Sequence, residues 1–181
     1  MQSARDITAA WPEESREAAE LVIDARGEPD EATDSLLIWH QAEPWKRIVA
    51  SKEYYDHQFP APHIDSVESV LDYRVPADVF TRLANFDGSV VVERTAGEVS
   101  ARCHDEQANF LALNLMDDIV QGRRSVEDAR EYYATEFLGV RKGEPTPYME
   151  GLRFEPGDGS SGDPDTRVIS EDELEAAQRT G

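Results

Sequence analysis

The chain has 181 residues and carries 38 Asp and Glu against 18 Lys and Arg, which gives a formal net charge of −20. A chain this acidic repels the phosphates of nucleic acids and anionic membrane surfaces unless its cations are clustered. We therefore expect no nucleic-acid partner and no membrane partner. Only three of the basic residues are lysines. This acidic, lysine-poor composition is typical of halophilic proteins, whose hydrated carboxylates keep them in solution at high salt.

The single cysteine, Cys103, excludes an internal disulfide and any cysteine-rich zinc motif, and it fits a reducing compartment. No apolar run follows residues 1–6, so the sequence predicts no secretion signal. The longest apolar stretch, 110–120, is too short and too often interrupted by polar residues to cross a bilayer. The sequence therefore predicts a cytoplasmic protein.

Residues 13–26 predict an N-terminal helix, because small and apolar residues recur there at helical spacing. Pro12 suits the start of this helix, and Gly27 suits its end. Two runs typical of β-strands follow, at 36–41 and from 46 to about 55. We expect these two runs to pair as an antiparallel hairpin.

The middle of the chain combines an extended segment with two predicted helices. Residues 59–63 contain two prolines and cannot be helical. Asp65 and Glu68 then have the spacing of a capping box, which predicts a short helix beginning after Asp65. Pro76 opens another predicted helix, which ends at residues 87–88.

A second hairpin is predicted from two runs, 90–95 and 98–103, joined by a two-residue loop. In this register Val92 lies opposite Ala101, and apolar side chains fill one face of the hairpin. Shifting the pairing by one residue would mix apolar and polar side chains on both faces. A longer loop stays open as an alternative, because Ala-Gly is not a favoured turn pair.

A pair of helices completes the predicted fold. Asp105 caps a long, mostly apolar helix that runs to about Gln121, and Ser125 caps the next helix. Together these elements predict a single α+β domain over residues 1–154, with antiparallel hairpins packed against a central helix pair. Residues 155–181 are acidic and rich in Gly, Ser and Pro at their start, which predicts a disordered tail.

Two residues of the long helix break its amphipathic pattern. Asn109 projects into the apolar arc, where we expect it to be a hydrogen-bonded polar group within the core. Phe110 projects from the polar face, where it packs either against another element or against a second copy of the chain. A homo-oligomer, or another protein partner, is therefore among our expectations.

The strongest candidate site is formed by His57, His63, Asp65 and Glu68, whose imidazoles and carboxylates suit a divalent metal ion. Their spacing matches no established metal-binding motif. The alternative is purely structural: Asp65 and Glu68 cap a helix, and His63 bonds the backbone of the proline-rich loop. We expect no cofactor other than such an ion.

Two further groups are weaker candidates. Lys46 and Arg47, joined in space by Arg74, suit a small anion, and charge balance on an acidic surface is the alternative explanation. Cys103 and His104 suggest a nucleophile and its base. Against this, the hairpin places Cys103 on the apolar face, where a thiol is normally an inert small side chain.

Four strings in this sequence are read together: Trp45-Lys46-Arg47, Phe59-Pro60-x-Pro62-His63-x-Asp65, Asp72-Tyr73-Arg74-Val75-Pro76 and Gly97-Glu98-x-Ser100-Ala101-Arg102-Cys103. Over about residues 11–154 they resemble a family of uncharacterised microbial proteins. The family has no assigned activity, so the resemblance implies none.

Two hypotheses about function follow from these observations. The first is a cytoplasmic binding or interaction module of unknown biochemical role. It is favoured because the sequence contains no phosphate-binding glycine loop, no nucleophile elbow and no cluster of cysteines and histidines. The alternative is a small metal-dependent enzyme with its His, Asp and Glu site in residues 57–68.

Overall fold

Six antiparallel strands form one sheet in a computed structural model that describes residues 3–157 and 165–179. The strands are β1 (Glu31–Ala32), β2 (Leu36–His40), β3 (Arg47–His57), β4 (His63–Asp72), β5 (Val90–Glu93) and β6 (Glu98–Cys103). Their order across the sheet is β1-β2-β3-β4-β6-β5, so β4 lies between the hairpin of β2 and β3 and the hairpin of β5 and β6.

The helices are α1 (Ala4–Thr8), α2 (Glu13–Arg26), α3 (Phe80–Phe86), α4 (Glu106–Val120), α5 (Val126–Lys142) and α6 (Glu171–Arg179), with 3₁₀ turns at Ala77–Val79 and Pro147–Met149. Helix α2 packs on β3 and β4, and α4 packs on β4, β5 and β6. Helix α5 packs against α3 and α4. None of the helices in the described ranges could span a membrane.

The predicted α+β class is confirmed, as are the N-terminal helix, the first hairpin and the helix pair. Helix α2 has the predicted bounds, and β2 pairs antiparallel with β3. The predicted caps of the helix pair are present: the Asp105 side chain accepts a hydrogen bond from the Ala108 amide, and Ser125 forms a capping box with Asp128. Local sequence signals are sufficient here because each cap lies within three residues of its partner.

The predicted helix after Asp65 is wrong, because residues 63–72 form strand β4 instead. This strand lies inside the sheet, where it pairs with β3 on one side and β6 on the other. Ile64, Val67 and Val70 suit a strand, and pairing with two distant segments outweighs the local capping signal. Asp65 and Glu68 therefore do not cap a helix.

The register predicted for the second hairpin is also wrong, by two residues. Val92 lies opposite Val99 and Val90 opposite Ala101, so residues 94–97 form a four-residue loop. The loop contains Gly97 in the left-handed region, with φ of 68°, which glycine adopts without strain. A shift of two residues leaves every side chain on its predicted face, because side chains alternate with a period of two.

The two residues that break the helix pattern both contact other elements. Asn109 is fully buried, and its amide nitrogen donates to the Val67 carbonyl oxygen at 3.0 Å and to Ser69 Oγ at 2.9 Å. Asn109 is thus the hydrogen-bonded polar group that the sequence predicts. The centroid of the Phe110 ring lies 4.5 Å from the centroid of the Trp45 ring. Of the two alternatives for Phe110, packing against another element is the one observed.

The C-terminal segment was predicted to be a disordered tail after residue 154. Residues 171–179 form helix α6, whose side chains are all exposed, and Ser170 Oγ accepts a hydrogen bond from the Glu173 amide. The glycine-rich linker lies mostly at 158–164, outside the described residues. Disorder of this segment stays a prediction.

Candidate metal centre

The hairpin of β3 and β4 brings two histidines together at its tip. The register places His57 directly opposite His63, and Asp65 follows two residues later on β4. One potential ligand atom from each of these three residues lies within 4.8 Å of the others. We call His57, His63 and Asp65 the ligand trio.

The carboxylate of Asp65 lies between the two imidazoles. Its Oδ2 atom is 3.1 Å from His57 Nδ1, and its Oδ1 atom is 3.1 Å from His63 Nε2. Asp65 is 1% exposed, yet its Oδ1 atom and His57 Nδ1 are buried without a hydrogen bond. The contacts are close, but they lack hydrogen-bond alignment.

A hydrogen bond from Nδ1 fixes the orientation of the His63 ring. Nδ1 lies 2.8 Å from the Ala61 carbonyl oxygen, which only accepts hydrogen bonds, so Nδ1 carries a proton. Nε2 consequently faces Asp65 and the Cys103 sulfur, which is 3.3 Å away. Burial alone lowers the pKa of His63, but the contacts with Asp65 and Cys103 outweigh burial and raise it.

A second layer of polar groups supports the ligand trio. Ser89 Oγ donates a hydrogen bond to Asp65 Oδ2. Asp87 Oδ1 lies 3.7 Å from His57 Nε2 and accepts a hydrogen bond from the Ser89 amide. Burial raises the pKa of Asp87, against the hydrogen bond that it accepts from this amide. In many metal sites a carboxylate hydrogen-bonded to the second ring nitrogen orients the histidine; Asp87 lies near His57 Nε2 but beyond hydrogen-bond distance.

Aromatic side chains pack beside this cluster, and a cavity opens next to His63. The Phe59 ring lies 6.4 Å from the His57 ring and 5.0 Å from the Tyr133 ring. The cavity has a volume of about 440 Å³ and is lined by His63 and Cys103 as well as by residues of α4 and α5. It gives small solutes access to the sulfur side of His63.

The fourth predicted ligand, Glu68, is not in the trio. Glu68 lies three residues after Asp65 in a strand, and residues separated by an odd number point to opposite faces. Its Oε1 atom accepts a hydrogen bond from Ser100 Oγ at 2.6 Å, on the face away from the helices. The helix predicted for this segment would have placed Asp65 and Glu68 on the same side.

Internal carboxylates engage the predicted anion ligands Lys46 and Arg47. Lys46 Nζ lies 2.8 Å from both Asp72 Oδ1 and Glu98 Oε1, and Arg47 forms two hydrogen bonds with Glu98. The third candidate, Arg74, lies beside the Gly97 loop and lines a cavity that neither Lys46 nor His63 reaches. Binding of an anion by these residues stays a prediction.

Cys103 contacts His63 rather than its neighbour His104. The sequence places Cys103 on the apolar face, and the thiol is indeed buried there, which raises its pKa. Its closeness to His63 depends on the pairing of β4 with β6, which no local sequence pattern predicts.

No family model matches the chain, and neither a curated protein nor a solved structure matches it.

Proposed function

We propose that this protein binds one divalent transition-metal ion through His57, His63 and Asp65. Two imidazole nitrogens and a carboxylate oxygen are donors that zinc and its neighbours in the first transition row accept. Calcium and magnesium prefer sites made of oxygen atoms, so we expect them to bind much more weakly.

The observation that carries this proposal is the buried carboxylate of Asp65, which contacts both rings without hydrogen-bond alignment. Ligands of one ion lie side by side around it rather than in line with each other's lone pairs. Zinc bonds of ordinary length place tetrahedral nitrogen and oxygen ligands about 3.4 Å apart. Each histidine nitrogen lies 3.1 Å from one Asp65 oxygen, Oδ2 for His57 and Oδ1 for His63, which is close to that value whichever oxygen binds the ion.

A metal-free explanation is a buried ion pair between Asp65 and a protonated His63. The two explanations differ in what added metal does to the full chain, which isothermal titration with zinc, cobalt and magnesium measures. We expect one zinc or cobalt ion per chain and weak magnesium binding. If neither zinc nor cobalt binds in a one-to-one ratio, the ion pair between Asp65 and His63 is the explanation.

Variants locate the bound ion. Asp65→Asn keeps the shape of the side chain but removes its charge, and His63→Ala removes a nitrogen donor. We expect each to lower the affinity by more than the 10- to 100-fold typical of losing an outer-layer partner. His40→Ala is the matched control, because His40 is an exposed histidine that pairs with Glu31. Equal affinities in all three variants would place the ion elsewhere.

A metal-dependent enzyme is a second proposal, supported by the cavity next to His63. Catalytic zinc keeps one coordination position open to water or substrate. The test is hydrolysis of simple esters, phosphate esters and amides by the zinc-loaded chain, with Asp65→Asn as the inactive control. A bound ion whose four ligands all come from the protein would contradict this proposal.

We further propose that the protein works in the cytoplasm as a binding module without a nucleic-acid partner. The free thiol of Cys103 and the net charge of −20 support this proposal. Phe110 was the residue that suggested self-association, but it packs against Trp45 within the same chain and no longer supports it. Fractionation of cells for the native protein tests the location, and sedimentation over a range of concentrations tests self-association.

A further inference from the structure

The only cysteine of the chain lies beside the ligand trio. Cys103 ends strand β6 and pairs with Val67 of β4, which puts its side chain on the helix-covered face together with Asp65. Its sulfur is 3.3 Å from His63 Nε2. The sulfur occupies the direction in which Nε2 would hold an ion, so it has to move aside, to a neighbouring position around the ion, to become a ligand.

We propose that the Cys103 thiolate is the fourth protein ligand of the ion, which closes the site. This inference rests on the proposed metal binding. Zinc bonds of ordinary length place sulfur and nitrogen ligands about 3.6 Å apart in a tetrahedral site, close to the 3.3 Å seen here. The sulfur is not among the ligand atoms that lie within 4.8 Å of one another, so ligation requires it to move toward the ligand trio; Cys103 lines a cavity of about 440 Å³.

Binding of the ion would exchange protons for metal bonds. The S–H bond of Cys103 would break, the sulfur keeping the electron pair for a metal–sulfur bond. A proton on His63 Nε2, which the raised pKa of this ring favours, would leave its nitrogen in the same way, and the released protons would pass to the buffer. A buried thiolate without a nearby cation is costly, and the ion supplies that cation. Without the ion, Cys103 stays a neutral thiol that contacts His63.

A thiolate ligand has two consequences, one for the choice of metal ion and one for the class of metal site. Soft and borderline ions such as zinc and cobalt(II) are favoured over magnesium and manganese. A closed set of four protein ligands is the arrangement of structural zinc sites, whereas catalytic sites keep a position for water. The inference therefore favours a binding role over the enzyme proposal.

The deciding experiment is the absorption spectrum of the full chain titrated with cobalt(II). A thiolate ligand adds a near-ultraviolet charge-transfer band, and tetrahedral coordination gives intense visible bands. Because the chain has one cysteine, any such band comes from Cys103. We expect both signals to saturate at one cobalt per chain, with release of at least one proton per ion.

Variants and a thiol reagent complete the test. Cys103→Ser and Cys103→Ala are expected to lose the charge-transfer band and at least 10-fold in cobalt affinity, with circular dichroism confirming that they fold. In the wild type, zinc is expected to block reaction of Cys103 with a thiol reagent. A cobalt complex of the wild type without the charge-transfer band would overturn this inference but keep the proposed metal binding. Absence of any binding would overturn both.

Discussion

Glu98 is predicted to be the electrostatic centre of the sheet face that lies away from the helices. Arg47 donates to both Glu98 carboxylate oxygens, at 3.0 and 2.6 Å, and Lys46 Nζ lies 2.8 Å from one of them. The hydrogen bonds from Arg47 lower the pKa of Glu98 most, burial opposes them, and Lys46 adds to them; the result is a pKa of about 2. Replacing Glu98 by Gln keeps the shape and removes the charge.

The size of the effect follows from that pKa and from the exposure of the partners. A fall from 4.5 to about 2 corresponds to about 3 kcal/mol in favour of the charged form. The side chains of Lys46 and Arg47 are 37% and 34% exposed, so water screens part of this interaction. We expect Glu98→Gln to lower the free energy of unfolding by about 1–2 kcal/mol at pH 7.

The lowered pKa of Glu98 also predicts how the difference in stability between wild type and variant changes with pH. Because the pKa of Glu98 is lower in the folded chain than in the unfolded one, its contribution is complete above about pH 4.5 and is lost as the pH falls through about 2. Urea unfolding of wild type and variant should show a difference at pH 7 that shrinks on acidification. Glu131→Gln, at an exposed residue of α5, is the control. A variant as stable as wild type at pH 7 would refute the reasoning.

Three further predictions concern the core, the site and the surface. Asn109→Ala should cost about 2–4 kcal/mol in urea unfolding, since it empties a buried position and removes the hydrogen bonds to the Val67 carbonyl and to Ser69. Exposed Asn85→Ala should change stability by under about 0.5 kcal/mol. Zinc at 100 times its dissociation constant should raise the melting temperature of wild type by about 5–10 °C, and no rise, or an equal rise in Asp65→Asn, would contradict the site. Potassium chloride should raise the melting temperature steadily, because it screens the net charge of −20; a fall would contradict the salt-adapted interpretation.

Local patterns in the sequence were sufficient for most of the fold. Helices α2, α4 and α5 could be predicted because their caps and apolar stripes lie within a few residues of each other. Strand β4 could not, because its partners β3 and β6 are set by pairing between distant segments. The Asp65 and Glu68 spacing fits a capping box, and only the surrounding sheet decides against it.

The same distinction applies to the candidate site. His57 and His63 flank a proline-rich segment, and the sequence grouped them for that reason. Their position opposite each other depends on the pairing of β3 with β4, which the sequence did not predict. Glu68 was grouped with them because a helix was expected there, and the alternation of strand side chains removes it. Cys103 could not be placed beside His63, because that contact depends on how β6 pairs with β4.

The most direct test of metal binding at the ligand trio is a crystal of the zinc-loaded chain measured on both sides of the zinc absorption edge. Zinc is then located by its own anomalous scattering. We expect one peak per chain within about 2.0–2.3 Å of His57 Nδ1, His63 Nε2 and an Asp65 oxygen. No peak at this position, or a zinc ion bound only at Glu68 or among surface carboxylates, would contradict it.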